Sequence, residues 1–161
     1  MDFTRTYTPE QEAFRAEVKA WIADNVPEEM RAPVDREDLS AEQIAWWREK
    51  HKELAVKGWL YPIFPKEYGG GGLGGDEETI IEEEFEEGRI VKGFTNALVF
   101  PTLLVWATEE QKQKFLKPML TGHISAWQKY TEPQSGTDLA NIETTAVKDG
   151  DEYILNGSNQ F

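Results

Sequence analysis

Apolar residues recur at helical spacing along the first half of the chain. Phe14, Val18, Trp21 and Ile22 share one face, Ile44, Trp47 and Leu54 a second, and Ile80, Ile81 and Phe85 a third. Thr8-Pro9-Glu10-Gln11 supplies a capping hydroxyl, a proline suited to the first helical position and a glutamine able to reach back, so a helix is predicted to start there. The same signal stands at Ser40-Ala41-Glu42-Gln43 and at Thr108-Glu109-Glu110-Gln111, the latter ahead of Phe115 and Leu116. Asp76 to Glu87 is predicted as a further helix. Phe94 to Trp106 is apolar enough for a buried helix that Pro101 opens or kinks. Asn25 to Asp38, with Pro27 and Pro33, is expected to be a connection, and the glycine-rich stretch Pro62 to Gly75 a loop.

After Pro118 the period changes. Ile124 to Tyr130 is short, β-friendly and bounded by Gly122 and Pro133, so it is predicted as a strand. Thr144–Lys148 and Tyr153–Leu155 flank Asp149-Gly150-Asp151, a strong local signal for a hairpin. The expected fold class is α+β: an all-α domain over residues 1–122, then the first strands of a β-domain over 123–161. Short strands alone leave open edges and a half-covered face, so a truncated chain, or a partner chain completing the sheet, is expected.

Composition narrows the function. The 161 residues suffice for one core or two small subdomains, and 39% hydrophobic content with six Trp, eight Phe and five Tyr excludes a disordered chain. With no cysteine and two histidines there is no disulfide framework, thiolate nucleophile or three-histidine metal site. A formal charge of −13 argues against nucleic acid and anionic membrane as partners. No apolar run approaches the ~20 residues that cross a bilayer, and Met1 to Arg5 lack a signal-peptide layout, so a cytoplasmic location is expected. Much of the acidity sits between Asp76 and Glu87. Glu78 with Glu82, or Glu83 with Glu87, could hold a divalent metal, but like charges one turn apart more often mark a solvated face or a surface for a basic partner. No metal site is expected, and His51 and His123 are expected to be structural or solvated.

The candidate chemistry lies between Gln128 and Leu139. Gly136 permits a positive φ or a close backbone approach, while Thr131, Ser135 and Thr137 offer hydroxyls and amides to an anion such as pyrophosphate. An ordinary capped turn is the alternative reading. Glu132, between Thr131 and Pro133, is expected to organise the loop through hydrogen bonds rather than to act as a base.

The stretch TEPQSGTDLA, from Thr131 to Ala140, resembles the flavin-binding signature of the acyl-CoA dehydrogenase family. The resemblance continues in register through NIETTAVKDGDEYILNG and upstream through EEQKQKFLKPMLTG and GWLYPIFPKEYGGGGLG, covering nearly the whole chain. It implies an amino-terminal helical domain and the start of a β-barrel-like middle domain, with the family's carboxy-terminal helical bundle absent. The implied activity is FAD-dependent α,β-dehydrogenation of an acyl-CoA thioester. The family's catalytic base is a glutamate on the missing bundle, so no residue of this chain is assigned as catalytic and the chain alone is expected to be inactive.

By the same resemblance, Gln128, Tyr130, Thr131, Gly136, Thr137 and Phe161 would contact the cofactor, and Thr137 would also approach the acyl-CoA substrate. Thr137 stands where the family has serine, Asn159 where lysine is usual, Phe161 where tryptophan is common and Ala107 where glycine is common. The implied partners are an electron-transfer flavoprotein as acceptor and further subunits in a homo- or hetero-oligomer. Alternatives are a non-catalytic subunit of a heteromeric dehydrogenase and a related flavin monooxygenase.

Overall fold

Reciprocal caps at Thr8, Ser40 and Thr108 start three helices where the sequence places them. In the computed structural model, which describes residues 6–33, 38–96 and 98–160, the Gln11 amide donates to the Thr8 hydroxyl at 3.3 Å and the Thr8 amide to the Gln11 side chain at 2.8 Å. Helix α1 runs Pro9–Asn25, α2 Ala41–Lys57 and α5 Glu109–Gln111. Helices α3 (Gly75–Glu87), α4 (Val99–Trp106) and α6 (Lys117–Leu120) complete the set among the described residues, with a π-helical turn at Lys112–Leu116 joining α5 to α6. Pro118 has no N–H for the Lys114 carbonyl and its ring crowds that carbonyl, so the turn before it is wound wide. The expected pair splits there: Leu116 is buried and Phe115 is exposed.

The residues up to Ala126 form one compact unit and those from Trp127 a second. In the first, Val18 and Ile22 of α1, Trp47 and Leu54 of α2, and Ile81 and Phe85 of α3 close on a common core with Trp59, Ile90 and Val91. Phe14 and Trp21 each meet Trp59 edge-on with centroids 6.0 Å apart, an arrangement worth ~1 kcal/mol per pair beyond area burial. The Trp47 indole donates to the Met30 carbonyl at 2.7 Å, so its one polar atom is satisfied. His51 is buried in the same core, its Nε2–H donating to the Val91 carbonyl at 2.7 Å. Burial pushes its pKa down, with the Val91 carbonyl opposing in part.

Two expectations are corrected in this unit. The acidic run of α3 is not simply a solvated face: Glu84 is buried, and Arg15 of α1 reaches Glu83 at 2.7 Å and Glu84 at 2.5 Å while Lys19 reaches Glu84 at 3.5 Å. Contact with these carboxylates raises the Arg15 pKa above its already high value. The second correction concerns α4, which is not buried. Phe100 alone is enclosed, against Tyr61 at 4.5 Å and Phe64 at 5.1 Å between centroids, while Val105 and Trp106 are 68% and 83% exposed. An eight-residue helix offers one contact face, and here Phe100 is its centre with Val99, Leu103 and Leu104 only partly covered around it. Pro101 lies in the first turn, where its missing N–H leaves no helical bond unmade, so it opens the helix without kinking it.

In the second unit β1 (Thr145–Asp149) pairs antiparallel with β2 (Glu152–Asn156), Val147 opposite Ile154 and Asp149 opposite Glu152. Gly150, at φ +61, is the first of the two loop residues, the position where a type II′ turn calls for glycine. Helices followed by this antiparallel pair give the expected α+β class. The strand expected over Ile124–Tyr130 is not formed: those residues carry no ladder among the described residues. A β-friendly run specifies extended backbone, but a ladder needs a second strand. Ala126 instead belongs with the helical unit, accepting from the Asn96 amide at 3.0 Å. Among the described residues no helix is long and apolar enough to cross a membrane.

Candidate functional site

The loop after Tyr130 is built around one carboxylate. Glu132 is 3% exposed, and its two oxygens accept from the amides of Glu143 and Thr144, each at 2.8 Å, from the Thr144 hydroxyl, and from the Gln134 side chain at 2.6 Å. The Thr144 hydroxyl and the Glu143 amide hold its pKa below the usual carboxylate value. With its lone pairs filled by these donors, Glu132 is a structural anchor and a poor base, as the sequence led us to expect. The backbone repeats the closure: the Glu132 amide donates to the Ser135 carbonyl at 3.0 Å and the Ser135 amide to the Glu132 carbonyl at 3.1 Å, folding Pro133 and Gln134 into a tight turn. Ser135 is also turned inward, its hydroxyl donating to the Asp138 carbonyl at 2.5 Å.

The residues beyond this anchor face outward. Gly136, Thr137 and Asp138 are exposed, and their three successive amides donate to nothing among the described residues. Gly136 has neither the positive φ nor the crowding considered from its sequence; a Cβ there would meet nothing within 4 Å. The space over it is open. Asp138 is held by Asn141, whose side-chain amide donates to its carboxylate at 2.5 Å. On the other side of the turn the Thr131 carbonyl accepts from the Gln160 amide at 2.7 Å, leaving its partly buried hydroxyl without a partner among the described residues. Tyr130 is more than half exposed and Gln128 is partly exposed. Consecutive unbonded amides beside free hydroxyls suit an anion with several acceptor oxygens. That donor set fits the pyrophosphate of a dinucleotide, and no lysine or arginine is needed to explain it.

A family model described as "Acyl-CoA dehydrogenase, N-terminal domain" matches residues 8–123. The acyl-CoA dehydrogenase FadE26 of Mycobacterium tuberculosis is 37% identical over 162 residues, covering 97% of this chain and 39% of that protein. The chain belongs to the acyl-CoA dehydrogenase family. Among solved structures, a chain of the ChsE4-ChsE5 complex from Mycobacterium tuberculosis is similar with a TM-score of 0.72 and 36% identity, over 96% of this chain and 39% of that one. An acyl-CoA dehydrogenase complexed with FAD from Bacillus anthracis is similar with a TM-score of 0.68 and 28% identity, over 96% of this chain and 26% of that one. The chain spans 39% of the length of the first of these acyl-CoA dehydrogenases.

Within this chain, Thr131, Gly136 and Thr137 sit on the turn that Glu132 anchors, with Gln128 and Tyr130 just before it. Phe161, the remaining residue expected at the cofactor, lies outside the described residues. Thr144 had no signal in the sequence as part of this site, and Asn159 was noted only as standing where lysine is usual. Thr144 supplies two of the donors to Glu132, and Asn159 bridges from the Thr144 hydroxyl at 3.2 Å to the Lys129 carbonyl at 3.3 Å. Asn159 therefore ties the two ends of the site together. Gly157 makes room for this junction, since a Cβ there would lie 2.1 Å from the Thr144 hydroxyl oxygen.

Proposed function

We propose that this chain forms the flavin-side turn of an FAD-dependent acyl-CoA dehydrogenase. The observation that carries the reading is the run of unbonded amides at Gly136, Thr137 and Asp138, held in place by the buried Glu132. Gly136 and Thr137 would hold the pyrophosphate, and Gln128, Tyr130, Thr131 and Phe161 would line the ring. Bound FAD supplies the two-electron acceptor. In the dehydrogenation, the α C–H bond gives its proton to a carboxylate and the β C–H bond gives up a hydride, leaving a double bond conjugated with the thioester. Residues of this chain would orient the reactants and exclude water, with Thr137 also approaching the acyl-CoA; the carboxylate base is not among them.

Two further elements of the reading concern partners. The two strands of the second unit have no buried residue, and Val147, Ile154, Tyr153 and Leu155 place apolar groups on both faces. Such a pair is marginal by itself, which supports assembly with further protein, in a homo- or hetero-oligomer. An electron-transfer flavoprotein is the proposed acceptor. The test of the flavin reading is a titration followed by the anisotropy of flavin fluorescence. FAD is expected to bind saturably and to be displaced by ADP, which carries the same pyrophosphate, while riboflavin binds more weakly. Riboflavin binding as tightly as FAD would refute the phosphate role.

A further inference from the structure

A cavity of about 660 Å³ opens between the end of α2, the glycine-rich loop and the turn after α6. Its volume falls within the ~300–1,000 Å³ of small-molecule sites. On a chain with a formal charge of −13, the lining includes Lys52, Lys57, Lys66 and His123 and no carboxylate. Lys57, in the last turn of α2, has an obvious structural use, since a cation there favours the helix dipole. That account does not extend to Lys66 or His123, which arrive from two other segments. Lys52 and Lys57 pair with Glu49 at 2.8 Å and Glu17 at 3.9 Å, side chains that are not part of the lining. Lys66 has no ion-pair partner among the described residues.

The rest of the wall is apolar or bare backbone. Val56, 90% exposed, and Leu73 lie on it, together with Gly69 to Gly71. The amides of Gly69, Gly70 and Gly71 are spent on the carbonyls of Lys66, Pro65 and Tyr61. Recognition of a charged group therefore falls to the ammonium groups, which act as point charges and suit a phosphate or carboxylate without demanding a bidentate geometry.

We propose that this cavity binds a small organic anion whose phosphate or carboxylate head meets Lys66 and Lys57 and whose short apolar body covers Val56 and Leu73. The cavity lies wholly within the helical unit, so the proposal stands or falls apart from the flavin reading. The probes are hexyl phosphate, hexanoate and inorganic phosphate, titrated calorimetrically into the 161-residue protein. At least one six-carbon anion is expected to bind saturably, more tightly than inorganic phosphate and more weakly as salt is raised. K66E combined with K57E removes both charge-assisted contacts and is expected to weaken it at least about tenfold, a floor set by the loss of one of them. An unchanged far-UV circular dichroism spectrum for the variant shows that the fold is intact, even where the loss of Lys57 from the end of α2 lowers the urea midpoint. V56S is a second variant, which removes apolar contact without adding charge and is expected to weaken the six-carbon anions and leave inorganic phosphate unchanged. Failure of both six-carbon anions to saturate, affinity equal to that of inorganic phosphate, or full affinity in the lysine variant would each overturn the proposal.

Discussion

Alanine at Gly71 should destabilise the helical unit, whereas alanine at Gly75 should stabilise it. A Cβ on Gly71 would lie 2.1 Å from the Gly58 carbonyl oxygen, 2.7 Å from the Pro62 carbonyl oxygen and 2.9 Å from the Pro62 Cα. All three atoms are backbone, so no side chain can rotate away; the loop must lift from the end of α2. That end is itself fixed by Gly58 at φ +77, whose amide caps the Ala55 carbonyl. Overpacking of this kind costs about 1–3 kcal/mol, and contacts this short against backbone favour the upper half of that range. At Gly75 a Cβ meets nothing within 4 Å, and the residue opens α3 without a positive φ. Alanine there restricts only the unfolded chain and gains about 0.4–1 kcal/mol. Urea unfolding followed by tryptophan fluorescence reads both, because Trp47 and Trp59 are buried in the core concerned. For a chain of this size each 1 kcal/mol moves Tm by roughly 2–4 °C. A G71A midpoint at or above the parent value, or a G75A midpoint below it, would refute the packing account of this loop.

Other consequences can be checked on the same protein. Because burial lowers the His51 pKa from 6.5, the unfolded chain takes up a proton that the folded chain refuses as pH falls below that value. Stability should therefore decline on acidification by up to about 1.4 kcal/mol per pH unit until the folded pKa is reached. H51Q should flatten that slope between pH 6.5 and 5, above the range where the carboxylates with lowered pKa values, such as Glu132, begin to contribute. R15M should cost about 2–3 kcal/mol in urea unfolding, since it leaves the buried Glu84 with only Lys19 among the described residues; R15M/E84M should recover part of that loss. E132Q should expose the Glu143 and Thr144 amides to faster hydrogen exchange and weaken FAD binding, because one accepting oxygen becomes a donor. Unchanged exchange at both amides would contradict the anchoring role.

Features set by a few neighbouring residues were legible in the chain. The Thr8, Ser40 and Thr108 boxes are complete within four residues each, and the Gly150 hairpin needs only its turn and its flanks. Features set by distant neighbours were not. Ile124 to Tyr130 has strand composition, but no property of those residues says whether a partner strand lies beside them. Nor does an apolar α4 say how much of its surface a neighbour covers; Tyr61 and Phe64, far back in the chain, enclose Phe100, while Val105 and Trp106 stay exposed. The burial of Glu84 likewise depends on Arg15, on another helix. At the candidate site the role of Glu132 could be anticipated from its place before Pro133, while its main donor, Thr144, lies twelve residues on. Gly136 was expected to be needed for its backbone, yet the chain's own packing leaves it open.

The central claim is that the turn held by Glu132 presents its free amides to a pyrophosphate. Amide chemical shifts of the ¹⁵N-labelled protein, recorded as ADP is added, test it at the atoms concerned. The account predicts that the Gly136, Thr137 and Asp138 resonances move together and saturate, with the Glu143 and Thr144 amides unmoved because Glu132 keeps them. Shifts spread elsewhere, with those three resonances still in place at saturation, would contradict it.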